Sequence, residues 1–234
     1  MMNFVEKAKQ AKEKMMEIEN RSTSNIGAWK DLYDDAKREI LMDKMLSESG
    51  KHQKIEELNK TMGRQLLEML AKEKNEYRQA VVEAENNAKR ELANPLKKPH
   101  DLDIAINDQT IQKIELDALF SRKSEVVRSI SDYADKIDNP YFAEQLLGKL
   151  PTLMDRLGPL ESAEMAKLKS AYHQLQDRAL TEEKKEAKAL LSSVENAFGR
   201  KLYNQLHEDV VASRAGVEFS RHLNDAESKL EILD

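Results

Sequence analysis

The sequence predicts an all-α protein: an elongated bundle of long, kinked helices packed side by side like an antiparallel coiled coil. Three observations carry that expectation. The 234 residues include only 7 glycines and 5 prolines, with 5% aromatic content, too few turn formers for the many short strands of an all-β fold. Apolar residues make up 40% and charged residues 35%, a mixture too apolar for a wholly disordered chain. The apolar positions also recur at steps of three and four over long stretches, which is the helical period.

The first element gathers Phe4, Ala8, Ala11, Met15 and Ile18 on one face with Lys7, Lys9, Lys12 and Lys14 beside it, an amphipathic N-terminal helix over residues 1–20. Ser22-Thr23-Ser24-Asn25 offers caps to a second helix. Its stripe runs through Trp29, Leu32, Tyr33, Ala36, Ile40 and Leu41 to about Met45, and Ser47-Glu48-Ser49-Gly50 ends it. A third helix spans Ile55 to about Leu92. Ile55, Leu66, Tyr77 and Ala88 recur every eleven residues, close to the pitch of a straight helix, while Glu73 interrupts the face between Met69 and Tyr77.

Asn94-Pro95-Leu96 and Pro99 break or kink that helix, because proline lacks an amide donor and clashes with the preceding turn. Leu102, Ile104 and Ile106 read as a short turn, since a lone strand has no partner. Leu116, Leu119, Lys123, Val126, Ile130, Tyr133 and Ile137 form a heptad series for another long helix. Asn139-Pro140 caps and opens the next, and Pro151, Gly158 and Pro159 punctuate the chain beyond it into short pieces. From Glu161 the helical pattern resumes through Leu175, Leu191, Leu206 and Leu223 to Leu233, with Gly199 and Gly216 weakening it without ending it. Stripes of this length need neighbours along their whole extent, which predicts a homodimer. Residues 21–234 are read as one bundle domain.

Several function classes are excluded on composition. No apolar run approaches the roughly 20 residues that cross a bilayer, and Met1 to Asn20 has charges where a signal peptide is apolar; a cytoplasmic location is the expectation. There is no cysteine, hence no thiol nucleophile or thiolate metal site. Forty-three acids against 38 bases give a net charge of −5, which argues against nonspecific nucleic-acid binding.

Nor do the motifs favour catalysis. Ser49-Gly50-Lys51-His52 resembles the end of a phosphate loop, but position 45 is Met and a histidine replaces the magnesium-binding hydroxyl. His52, His100, His173, His207 and His222 never take the paired spacing of a zinc protease. The carboxylates are interspersed with lysine and arginine, as on solvated helix faces. The sequence therefore predicts a non-enzyme without catalytic, cofactor or metal residues. Met62 and Met69 offer either core packing or an adaptable binding surface.

Two stretches resemble the BAR superfamily. Glu91-Leu92-Ala93-Asn94-Pro95-Leu96-Lys97-Lys98, with Asp101-Leu102, Ile104 and Lys113-Ile114-Glu115 beyond, is similar to that family's proline-leucine kink in the second long helix. Gln205-Leu206, Val210-Val211-Ala212-Ser213, Glu218 to Leu223 and Leu230 are similar to the end of its third helix. The resemblance implies a crescent-shaped dimer on curved membranes, with Met1 to Ile18 as an amphipathic insertion helix.

On that reading the protein is cytoplasmic and peripheral to membranes, and it senses or generates curvature through a basic face. Each aligned cation contributes on the order of 1 kcal/mol at an anionic surface. The lipid-binding candidates are Lys97, Lys98, Arg122, Lys123, Lys184 and Lys185, and the dimer or core candidates are Leu206, Val210, Leu223 and Leu230. The alternative is a structural coiled-coil scaffold, for example a virion or cytoskeletal component, that binds no lipid.

Overall fold

The computed structural model describes residues 3–233, and every regular element among them is helical. Met1, Met2 and Asp234, at the ends of the two expected segments, lie outside the described residues. The helices are α1 (Phe4–Met42), α2 (Glu48–Ala93), α3 (Asp101–Phe120), α4 (Lys123–Ala134), α5 (Pro140–Leu157), α6 (Ser162–Arg178), α7 (Glu182–Val194), α8 (Gln205–Ala212), α9 (Val217–Ser220) and α10 (Ala226–Leu233), with a 3-10 turn at Ala197–Gly199. Sequence alone groups residues 21–234 into one bundle; the chain instead divides into two compact units. One is built from both ends of the chain, up to Arg90 and from Ala189 onward, and the other is Glu91–Lys188. The division falls within α2 and within α7.

In the unit built from both chain ends, α1 opens on a capping box. The Asn3 side chain accepts the Glu6 amide at 2.8 Å and the Glu6 carboxylate accepts the Asn3 amide at 3.3 Å, which satisfies two donors that the first turn leaves free. α1 then runs unbroken for 39 residues. Ser22 to Asn25, expected to separate two helices, lies in mid-helix because its polar groups are satisfied there: Ser22 Oγ donates to the Glu19 carbonyl at 2.8 Å and Asn25 donates to Glu73. The Ser49-Gly50-Lys51-His52 run is likewise helical, in the first turns of α2.

α1 and α2 are antiparallel, since partner numbers on one rise as those on the other fall. Tyr77 Oη donates to Glu19 at 3.0 Å, Arg21 Nε to Glu73 at 3.1 Å, and Trp29 Nε1 to the Met62 carbonyl at 3.0 Å. One core cluster joins Ala11, Met15 and Ile18 to Tyr77, Ala80 and Ala84. A second joins Trp29 and Tyr33 to Leu66, Leu67 and Leu70 and to Tyr203, Val211, Phe219 and Leu223. Met62 and Met69 pack against this second cluster, so methionine serves the core here.

The helical stripe expected to run unbroken to Leu233 is cut into short pieces. Asn196 has φ 65° and Gly216 has φ 107°, left-handed backbone that glycine adopts readily and other residues rarely do. Gly216 therefore stands between two helices, four residues past the end of α8 and at the cap that opens α9, instead of weakening one. Leu206 needs correcting as a core candidate, for it is 72% exposed in the chain. The buried residues of the eight-residue α8 are His207 and Val211, one turn apart, and a residue next to an inward position points about 100° away. Leu223 is buried, and Val210 and Leu230 pack partly against the second cluster.

The Glu91–Lys188 unit contains a four-helix bundle. α3 packs on α4 and α5, and α6 packs on the same two helices, so α3 and α6 stand on one diagonal and α4 and α5 on the other. Its core is Ile111 and Ile114 of α3, Val126, Val127 and Ile130 of α4, Leu146, Leu150 and Leu153 of α5, and Leu168, Ala171 and Leu175 of α6. Leu102 to Ile106, expected as a turn, begin α3, which the His100 side chain caps by accepting the Leu102 amide at 3.3 Å.

The heptad series expected to make one helix from Leu116 to Ile137 is interrupted, because Ser121 and Arg122 are extended and the chain folds back as α4. The phase resets there: Val126, Ile130 and Ile137 are buried while Leu116 and Leu119 are exposed. Asn139 and Pro140 cap and open α5 as expected, with Asn139 accepting the Tyr141 amide at 2.9 Å. Pro151 lies inside α5 and does not end it.

Candidate interaction face

α3 is the element whose placement matters most. Its rotation is fixed by polar contacts on the inner side. Buried Asn107 donates to Gln145 of α5 and accepts from Tyr133 of α4, and burial pushes the Tyr133 hydroxyl above the ordinary phenol range, keeping it a donor. At the flank, Lys149 of α5 pairs with Glu115 at 3.1 Å. These contacts turn Asn107, Ile111 and Ile114 inward. The opposite side is apolar as well. Leu102 is 63%, Ile106 and Leu116 56%, and Phe120 84% exposed. A helix that is apolar on both sides is one that expects neighbours on both.

The six cations proposed from sequence all belong to the Glu91–Lys188 unit, but the bundle topology divides them. Lys97 and Lys98 precede α3 and share a surface cleft with Asn139, Pro140 and Thr181, four residues before Lys185. Arg122 and Lys123 follow α3, where Lys123 Nζ donates to the Pro159 carbonyl at 2.8 Å. The 20 residues of α3 separate the two groups by about 30 Å. Lys184 is only 9% exposed, which corrects its assignment to a solvent-facing basic patch. Lys98 pairs with Asp101 at 3.1 Å. Lys185 pairs with Glu182 at 3.3 Å and Asp177 at 3.5 Å, which hold its ammonium above the usual lysine range, the Glu182 hydrogen bond foremost. Lys97 and Arg122 face solvent.

Two concave features complete the surface. In the unit of both chain ends, a groove of about 870 Å³ is walled by Lys7, Asn75, Arg78, Gln79 and Arg90, with Phe198 at its rim. Arg78 lies over the Phe198 ring at 5.5 Å and pairs with Glu227 at 3.1 Å. This lining sets one carboxylate, Glu83, among the cations Lys7, Arg78 and Arg90. In the Glu91–Lys188 unit, Leu147, Pro151, Met154, Met165 and Tyr172 line an apolar groove of about 340 Å³ between α5 and α6. Pro151 lacks the amide that would bond the Leu147 carbonyl one turn back, and both residues line the groove.

Among the described residues, no group of three or more histidine, cysteine, aspartate or glutamate side chains could hold a metal ion. None of the described helices is long and apolar enough to cross a membrane. No family model, curated protein or solved structure matches the chain. The outer face of α3 escapes the sequence reading because Leu102 and Ile106 look like a turn there, and Leu116 and Leu119 like part of the stripe continuing through Ile130. Counting apolar positions right around residues 101–120 is the signal that finds it, since two stripes then stand on one helix.

Proposed function

We propose that this chain is a non-enzymatic assembly protein, a helical scaffold that works by presenting helix faces to other protein chains. One observation carries the reading: α3 is apolar on two opposite sides, and the bundle core uses only one of them. An exposed apolar stripe of this kind marks an interaction site more often than a solvated surface. Light scattering on the full chain tests it. Assemblies of two or more copies are expected, growing with concentration, and a monomer at every concentration would overturn the reading as far as self-assembly goes.

A second reading, the BAR-like scaffold on anionic membranes, draws on exposed Lys97, Lys98 and Arg122. Their division between opposite ends of the four-helix bundle gives it less support than a common face would. Sedimentation with anionic vesicles at low salt separates the two, because only the membrane reading expects the chain in the pellet and its release as salt screens the cations.

A further inference from the structure

We infer that the outer stripe of α3 is a self-complementary seam on which a second copy of this chain docks antiparallel. This rests on the assembly reading and names the partner. Leu102, Ile106, Gln109, Lys113, Leu116 and Phe120 follow one another at steps of four, three, four, three and four, and all six are exposed. That is the alternation of coiled-coil seam positions over three heptads, about 27 Å of helix.

The order of residue types along the seam is the decisive feature. The two apolar positions at each end flank a polar pair at the centre, so the stripe reads alike in both directions about the level of Ile111. An antiparallel copy therefore sets Leu102 against the partner's Phe120, Ile106 against the partner's Leu116, and Gln109 against the partner's Lys113. Every apolar position meets an apolar one, and each ammonium meets an amide that can accept from it. A parallel copy would instead stack Lys113 on the partner's Lys113, a like-charge contact in the middle of the seam. A polar layer at one level costs stability and selects register and orientation, and here it selects the antiparallel one.

The edges agree in part. Ala105 comes beside the partner's Leu119, exposed in the chain, and extends the apolar seam. The other edge sets Asp103 against the partner's Asp117, a repulsion that salt screens. Salt should therefore tighten this association, opposite to its effect on adsorption to an anionic surface. One 20-residue helix face is smaller than the roughly 800 Å² per partner of a standard interface, so micromolar affinity is expected.

The chain has no cysteine, so thiol cross-linking of the full chain reads the geometry directly. Leu102→Cys and Phe120→Cys chains are oxidised separately and as a mixture. A cross-linked dimer in the mixture, with little in either variant alone, is the expected result. Efficient cross-linking of each variant alone, or none in the mixture at concentrations where the wild type is dimeric, would overturn the antiparallel seam.

Ile106→Asp with Leu116→Asp should give a monomer with unchanged helicity, since both side chains lie outside the core, and Lys113→Leu should tighten association by about tenfold, roughly 1.4 kcal/mol. If the double variant keeps the wild-type mass, the seam is wrong while the assembly reading stands. If the wild type itself is monomeric at every concentration, the seam falls together with the self-assembly part of the reading.

Discussion

Glu73 shows how a residue that breaks a pattern can hold a core together. It sits on the inward face of α2 at 4% exposure, and it accepts from Arg21, Asn25 and the Tyr203 hydroxyl. Burial, then the hydrogen bond to Glu73, drives the Tyr203 hydroxyl far above the ordinary phenol range. Glu73→Ala should cost about 3 kcal/mol, because it strands the buried Tyr203 hydroxyl and the half-buried Arg21 and Asn25 donors and leaves a void. Glu73→Gln, which keeps an acceptor, should cost less. Urea unfolding of the two variants checks the order, and equal losses would mean that the network contributes no more than packing volume.

Tyr77 gives the same region a pH signature. Burial first, and then its hydrogen bond to Glu19, raise its hydroxyl from 10.0 to about 12. The unfolded chain releases this proton near pH 10 while the folded chain keeps it to about 12. Its contribution is thus complete below pH 10 and is lost as pH rises through that window. Tyr77→Phe should flatten part of the alkaline fall in stability measured by thermal unfolding, and an unchanged slope would count against a buried, neutral Tyr77.

At the scale of elements, packing overrides propensity in both directions. Gly63 lies within α2, where alanine would ordinarily gain about 1 kcal/mol as the better helix former. A Cβ there would come within 2.6 Å of the Phe219 ring of α9. Displacing a buried ring costs typically 1–3 kcal/mol, so Gly63→Ala should be neutral to destabilising by up to about 2 kcal/mol. A clear rise in Tm would show that Phe219 moves away freely. Arg178 illustrates the opposite case, a long exposed residue type used to finish an element. Its Nη1 donates to the carbonyls of Ala134, Asp135 and Ile137 at 2.9, 2.8 and 2.7 Å, closing the C-terminal end of α4 with a cation where the helix dipole favours one.

The molecule as a whole carries separate cores in its two units. Leu153 is fully buried in the core of the Glu91–Lys188 unit, and Leu153→Ala should destabilise it by about 2–5 kcal/mol. Hydrogen exchange should then quicken first in α3, α4, α5 and α6, with the α1 and α2 amides up to Arg90 less affected. Uniform loss of protection through the chain would show instead that the units open as one.

Much of this protein was legible in its sequence, for physical reasons that act locally. Scarce glycine and proline, together with steps of three and four, determined that the chain is helical; Asn139-Pro140 determined where α5 begins; and Leu66, Tyr77 and Ala88, eleven residues apart, are all buried. These features arise from period and capping chemistry within a few residues of chain. Tertiary structure decided the rest. Whether Ser22 to Asn25 ends a helix depended on Glu73 standing across from it. Whether Leu206 is inside depended on which face of the short α8 meets the core. The six cations, close in type and ordinary in spacing, were divided between two ends by the way α3 and α4 fold back. The two stripes of α3 are written in residues 101–120, but only the packing of Ile111 and Ile114 against α4 and α5 decides which of them is left facing outward.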